Sequence, residues 1–174
     1  MFRVVEDKLG PVVQKVAADS KEKAIVLERD ATKCNAAENN KEITIVDGKV
    51  GISVSSDTHW PRRGGGGKKY VSPSGLTYML GSHTGMIVGS HVCSQDCRTC
   101  HYFGKKMKDG KTKPGETVRA HRCPRNFSKT KSPKTMETAS TVIMVRGIFD
   151  SVHQTFVEHL CIDDDTTMMS HLRR

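Results

Sequence analysis

Four of the six cysteines in this 174-residue sequence crowd with histidines into one short stretch, and that is its clearest chemical feature. Cys97 and Cys100 form a C-x2-C pair, and after twenty intervening residues His121 and Cys123 form an H-x-C pair. C-x2-C spacing lets both thiolates of one turn reach a single tetrahedral ion at about 2.3 Å, and the second pair can close the shell. Thiolate and imidazole ligands with no carboxylate favour Zn²⁺ in a closed, structural site. Cys93, His91 and His101 lie close enough in sequence to substitute for a member of the quartet. The plainer alternative is a set of free thiols, which their crowding disfavours.

A second group is acidic. Asp57 stands near the end of an alternating segment, and Asp163, Asp164 and Asp165 follow a later apolar one. Carboxylates at neighbouring strand ends can share divalent cations, and such a pair completed by a third acid supports two-metal phosphodiester chemistry. Taken alone these acids are weak evidence, since an aspartate at a strand end more often serves as a turn or capping residue.

Charge supplies the third observation. The net charge is +9, yet Pro61 to Lys134 holds 16 Lys or Arg against Asp96, Asp109 and Glu116, while the remainder has 12 basic and 16 acidic residues. A one-sign block suits a polyanion, because each phosphate neutralised releases condensed counterions. The same block is equally compatible with a solvated loop, so its contents decide. Arg62, Arg63, Lys68 and Lys69 flank Gly64 to Gly67, where backbone and cations can approach phosphates. Lys105 and Lys106 begin the basic tip of the loop that the Cys/His pairs enclose. DNA is the expected partner.

These groups need elements to position them. Val12, Val13, Val16 and Ala17 share a helical face after Gly10–Pro11, and Ser20 is placed to cap a second helix ending near Asn39. Residues 1–40 therefore read as a helical arm or linker. Glu42 to Val46 reads as a strand and Asp47–Gly48 as a tight turn. Val50, Ile52, Val54 and Ser56 alternate with Gly51, Ser53, Ser55 and Asp57, the period of a strand with one apolar face. Two further strands, about Tyr70 to Gly81 and Met86 to Cys93, complete a meander around a His83–Thr84–Gly85 turn. Residues 93–127 lose all periodicity and cannot bury a core, which leaves them disordered or held by metal. Ser132–Pro133 starts a helix carrying Met136, Ala139, Ile143, Val145 and Ile148 on one stripe, and Phe156 to Ile162 is the last strand. With 36% hydrophobic and 5% aromatic residues the core must be small. No run approaches the roughly 18 apolar residues of a membrane helix. The N-terminus lacks the apolar stretch of a signal peptide, so an intracellular protein with reduced cysteines is expected.

In order along the chain, these features resemble the Mutator-like transposase domain of eukaryotic mobile elements. The resemblance rests on Val54–Ser55–Ser56–Asp57 followed by Trp60 and Arg62–Arg63, and on Thr84–Gly85 at a strand turn. It continues through Cys97-x2-Cys100, His121-x-Cys123 and Asn126, then Met136–Glu137 opening a helix, and Asp163–Asp164–Asp165–Thr166. It spans about Val50 to Thr166. The resemblance implies a ribonuclease-H-like α/β fold: a mixed sheet of three antiparallel strands, then a helix and a fourth strand, with a zinc-knuckle insertion at 93–127 inside a domain of residues 41–174. It implies metal-dependent DNA cleavage and strand transfer with Mg²⁺ or Mn²⁺. Asp57 would be the first catalytic acid, Asp163 the second with Asp165 as its alternative, and Glu137 a structural residue. A nuclear site of action follows from the substrate, and homo-oligomerisation is compatible with the full-length family. Two departures stand out. Asp57–Thr58–His59–Trp60 replaces the family's Asp-Gly before the tryptophan, and Gly64 to Gly67 is expanded. The third acid of the family lies on a later helix, after the last residue given, so the chain as it stands is expected to be a catalytically silent fragment. The competing expectation, of another class, is a zinc-stabilised nucleic-acid-binding module that needs no catalytic metal.

Overall fold

The computed structural model describes residues 2–61, 72–113, 115–118, 120–121, 123–128 and 130–162, with side chains from Leu9 onward. The elements in chain order are α1 (Phe2–Glu38), β1 (Ile45–Val46), β2 (Lys49–His59), β3 (Ser74–Gly81), β4 (Ile87–Ser94), α2 (Arg98–Lys108), α3 (Pro133–Phe149) and β5 (Thr155–Cys161). The described residues fall into two compact units. One combines residues up to Asp57, Tyr78–His91 and the residues from Thr141 on; the other holds Thr58–Thr77 and Val92–Ser140.

The sheet begins with a two-residue hairpin. Asp47 and Gly48 take φ values of 50° and 75°, the left-handed pair that a tight turn between β1 and β2 demands. Gly48 supplies its half without steric cost. The strands run in the order β1-β2-β3-β4, and β5 pairs with β2. Ser53 faces Ser82, and Asp57 faces Tyr78, so partner numbers fall along β3 as they rise along β2, the mark of an antiparallel pair. β5 instead runs parallel to β2, from Val50 opposite Thr155 to Ser55 opposite Cys161. The antiparallel meander, the helix and the added parallel strand appear in the order expected of a ribonuclease-H-like sheet.

The parallel pair carries one irregularity. Between Ile52 and Ser53 the register shifts, leaving Glu158 as the extra residue on β5. Its carboxylate accepts a hydrogen bond from Thr44 and lies over Gly51, where an added Cβ would come within 2.4 Å of Oε2. Only glycine leaves that space.

The alternation along β2 explains the core. Val50, Ile52, Val54 and Ser56 are buried, and Ile52, Val54, Met79 and Val88 meet Met144 and Ile148 of α3 and Ala24 and Ile25 of α1. The helix stripe differs from the expected one. Ile143 is 48% exposed, while Ser140 and Thr141 are buried. Most buried hydroxyls find a partner, and Thr141 finds Ser56 at 3.2 Å.

Two expectations about helices are corrected. The N-terminal region forms one helix rather than two, and it passes through both Pro11 and Ser20. Ser20 lies between residues that continue the helix on either side, so its capping tendency is overridden. Residues 93–127 are not devoid of regular structure, because α2 lies within them. Pro133 does begin α3, with the Thr135 N–H donating to Ser132 Oγ at 3.2 Å as an N-terminal cap.

Glu28 gives α1 a role that its sequence does not suggest. The carboxylate is fully buried and accepts hydrogen bonds from the His83 and Thr84 backbone N–H groups, both at 2.9 Å, and from Thr84 Oγ1 at 2.7 Å. It caps the β3–β4 turn. Gly81 makes room for it, since a Cβ there would lie 2.2 Å from Glu28 Oε2.

Candidate functional site

The Cys/His quartet comes together. One ligand atom from each of Cys97, Cys100, His121 and Cys123 lies within 4.8 Å of all the others. His121 Nε2 is 3.1 Å from Cys97 Sγ and 3.5 Å from Cys100 Sγ, and Cys100 Sγ is 3.9 Å from Cys123 Sγ. A tetrahedral Zn²⁺ with bonds of about 2.0 Å to nitrogen and about 2.3 Å to sulfur sets its ligand atoms about 3.5–3.8 Å apart. The observed separations bracket that range, so the donor set fits a zinc ion in both chemistry and size.

Local structure explains how the ligands converge. Cys97 is the residue before α2, and the His101 N–H donates to its carbonyl at 2.8 Å, closing the first turn that brings Cys100 back beside it. The returning chain is fixed by Asn126. Its Oδ1 accepts from the Ser94 N–H at 2.7 Å, its Nδ2 donates to the Val92 carbonyl at 2.6 Å, and its own N–H donates to the Ser94 carbonyl at 3.0 Å. Three bonds thus hold Asn126 against the end of β4, three residues after Cys123.

The thiols respond to one another. The Cys97 thiol is lowered to about 6, first by the Cys100 backbone N–H and then by the Cys100, Cys123 and His121 side chains, against a burial penalty. Cys100 is pushed up by desolvation and by competition with Cys97 and Cys123. Thiols this close resist joint ionisation, and a divalent cation among them removes that conflict.

The spare candidates stand apart from the quartet. Cys93 is fully buried and donates to the Gly75 carbonyl at 3.3 Å, and burial pushes its thiol up. His91 has its imidazole lowered by burial, and His101 is exposed on α2.

Asp57 lies on the outward face of β2, two residues before its end. The Tyr78 hydroxyl donates to Asp57 Oδ2 at 3.1 Å, and that bond together with the negative charge raises the tyrosine above its ordinary value. Tyr78 is a neighbour that the sequence reading missed; the antiparallel register of the meander is the signal that finds it. Trp60 packs its ring over Gly75, where a Cβ would come within 2.6 Å of it. Asp163, Asp165, Arg62, Arg63, Lys68 and Lys69 lie outside the described residues. Lys105 and Lys106 are both on α2, but they differ: Lys106 is paired with Glu116 at 2.5 Å, whereas Lys105 is exposed.

A mixed α/β domain of ribonuclease-H-like strand order, interrupted after its third long strand by a Cys₃His cluster, is the class that this fold and cluster define. The model of the Mutator-like transposase family matches residues 2–174, and the chain belongs to that family. Neither the curated proteins nor the solved structures contain a match to the chain. Among the described residues no helix is long and apolar enough to cross a membrane.

Proposed function

We propose that this chain provides the metal-binding sheet of a DNA-cleaving and strand-transferring transposase domain, with Asp57 and Asp163 as two of its catalytic acids and Asp165 as the alternative to the second. The observation that supports this reading is the parallel register of β5 on β2. Ser55 lies opposite Cys161, and in the sequence Asp57 and Asp163 each follow their strand residue by two positions, with Asp165 following by four. Asp57 offers exposed carboxylate oxygens, the hard donors that Mg²⁺ and Mn²⁺ prefer. Bound there, such ions supply activation of a hydroxyl nucleophile and stabilisation of the leaving oxygen of a phosphodiester.

The chain's own residues then divide the work. Tyr78 orients the Asp57 carboxylate through its hydroxyl. Cys97, Cys100, His121 and Cys123 hold a structural zinc ion that organises residues 93–127. Arg62, Arg63, Lys68, Lys69 and Lys105 contact the phosphates of DNA, and a nuclear site of action follows from a chromosomal substrate.

The test is Mn²⁺ binding to the zinc-loaded chain, followed calorimetrically, for the wild type and for D57N, D163N and D165N. Loss of binding in D57N together with either of the others supports a shared site. Unchanged binding in D57N overturns it.

A second reading is favoured by the completeness of the Cys/His cluster: a zinc-stabilised DNA-binding module in which the acids have no catalytic part. That reading requires salt-dependent DNA binding that is indifferent to D57N and D163N.

A further inference from the structure

α2 is a helix without a core. None of its residues is buried. Cys100, Phe103 and Gly104 are half-buried on one side, which ends in the exposed Met107, while Arg98, His101, Tyr102, Lys105 and Lys108 are exposed along the other at helical spacing. Over eleven residues this face extends about 15 Å. Tyr102 is 71% exposed at its middle. Three acids lie near it in sequence: Glu116 is bonded to Lys106, while Asp96, two residues before Arg98, and Asp109 at the C-terminal cap make no ion pair with it among the described residues.

Helix stability does not account for this composition. Lys105, Lys106 and Lys108 sit in the last turn, where cations favour the helix dipole, but Arg98 is the first residue, where a cation opposes it. The first turn contains no acid, and Cys97 makes no side-chain cap. Cations stand at both ends of the exposed face, including the end where that is unfavourable.

We propose that Arg98, Lys105 and Lys108 form a phosphate-contacting face for duplex DNA, with Tyr102 seated between their contacts, and that the Cys/His cluster exists to hold this face in place. The inference rests on the DNA-binding part of the function proposed above and specifies where the contact occurs. The complementary charge of a polyphosphate selects the partner. A face of this length matches an α-helix laid in or along the major groove, which is about 12 Å wide. Lys106, half-buried and one turn after Tyr102, stands at the edge of this face with its ammonium already engaged by Glu116.

The experiment compares salt-dependent binding of a labelled mixed-sequence duplex to the zinc-loaded full chain and to R98Q/K105Q/K108Q. Each lost phosphate contact lowers the slope of log K against log salt by about 0.9, so the triple variant is expected to lose about 2–3 in slope and roughly 10²–10³-fold in affinity at 0.1 M salt. K106Q is expected to keep the wild-type slope. Tyr102→Ala is expected to weaken binding without changing the slope. K105E/K108E, altered only at the end of α2 away from Cys97, repeats the test should the triple variant release zinc. An unchanged slope in a zinc-loaded triple variant, or an equal loss in K106Q, overturns the proposal while leaving DNA binding itself intact. Absence of DNA binding by the wild-type chain overturns both.

Discussion

Replacing Glu28 with glutamine puts the cap on the β3–β4 turn to a quantitative test. One carboxylate oxygen accepts from His83 N–H and the other accepts from both Thr84 N–H and Thr84 Oγ1. Glutamine can keep its oxygen toward Thr84, but its amide nitrogen then faces the His83 N–H, donor against donor. One charge-assisted bond, worth about 1.5–3 kcal/mol, is lost, and the other two fall to neutral strength. The expected destabilisation is about 3 kcal/mol, a large share of the roughly 5–15 kcal/mol that holds a domain together. Urea unfolding followed by far-ultraviolet dichroism, which reports the long α1 helix, measures it. Gly81 provides an internal control. In the wild type G81A drives a methyl into the carboxylate, whereas in E28A the obstacle is gone. The two substitutions are therefore expected to be strongly non-additive, with G81A nearly silent in the E28A background. A shift below about 0.5 kcal/mol for E28Q, or additivity of E28A with G81A, would refute the argument that this carboxylate is a structural cap.

Three other outcomes are expected. Purified chain should contain one zinc ion, and C100S or H121A should release it with loss of helical dichroism from α2; retention of zinc by both variants would show that the ion binds elsewhere. N126A removes two side-chain bonds from the end of β4, with an expected cost of about 2 kcal/mol, and should weaken zinc binding in competition with a chromophoric chelator; unaltered stability would mean that the Ser94 and Val92 bonds are replaced by water. Because Asp57 raises Tyr78, D57N should move one phenol titration down toward 10.0. The sign follows from a raised folded-state value: this interaction stabilises the fold below pH 10 and is lost as pH rises through the folded value. Absorbance at high pH reads it, and identical titrations of wild type and D57N would remove the Tyr78–Asp57 bond from the account.

The legible parts of this sequence were those where local pattern and tertiary environment agree. Val50 to Asp57 alternates because one face meets a core and the other does not, and Asp47–Gly48 marks its hairpin because few other pairs tolerate that backbone. The Cys/His quartet was legible because ligand spacing is a covalent constraint independent of the surrounding fold. The α3 stripe was misassigned at Ile143 because Ser140 and Thr141 are buried there, and the Ser56 bond to Thr141 cannot be seen one segment at a time. α2 was missed for a different reason: Cys100, Phe103 and Met107 do recur at helical spacing, but three apolar positions among cysteines, histidines and lysines read as part of a metal-held loop. Glu28 looked like one more charge on a surface helix, and only its distant partners His83 and Thr84 disclose its place. The distinction between Lys105 and Lys106 likewise depended on Glu116, ten residues beyond Lys106.

The bonds joining Ser94 to Asn126 and Phe127 carry a topological consequence. The chain leaves the sheet and returns to it at the same place, so more than thirty residues are spanned without separating the two ends. Loop-closure entropy grows only with the logarithm of length, and these contacts, with the Cys/His cluster inside them, remove much of even that dependence. To the sheet, the excursion between Ser94 and Asn126 resembles a short connector. What hangs from such a connector can lengthen, shrink or change its surface while the strands keep their register, which allows the inserted segment and the sheet to diverge at different rates.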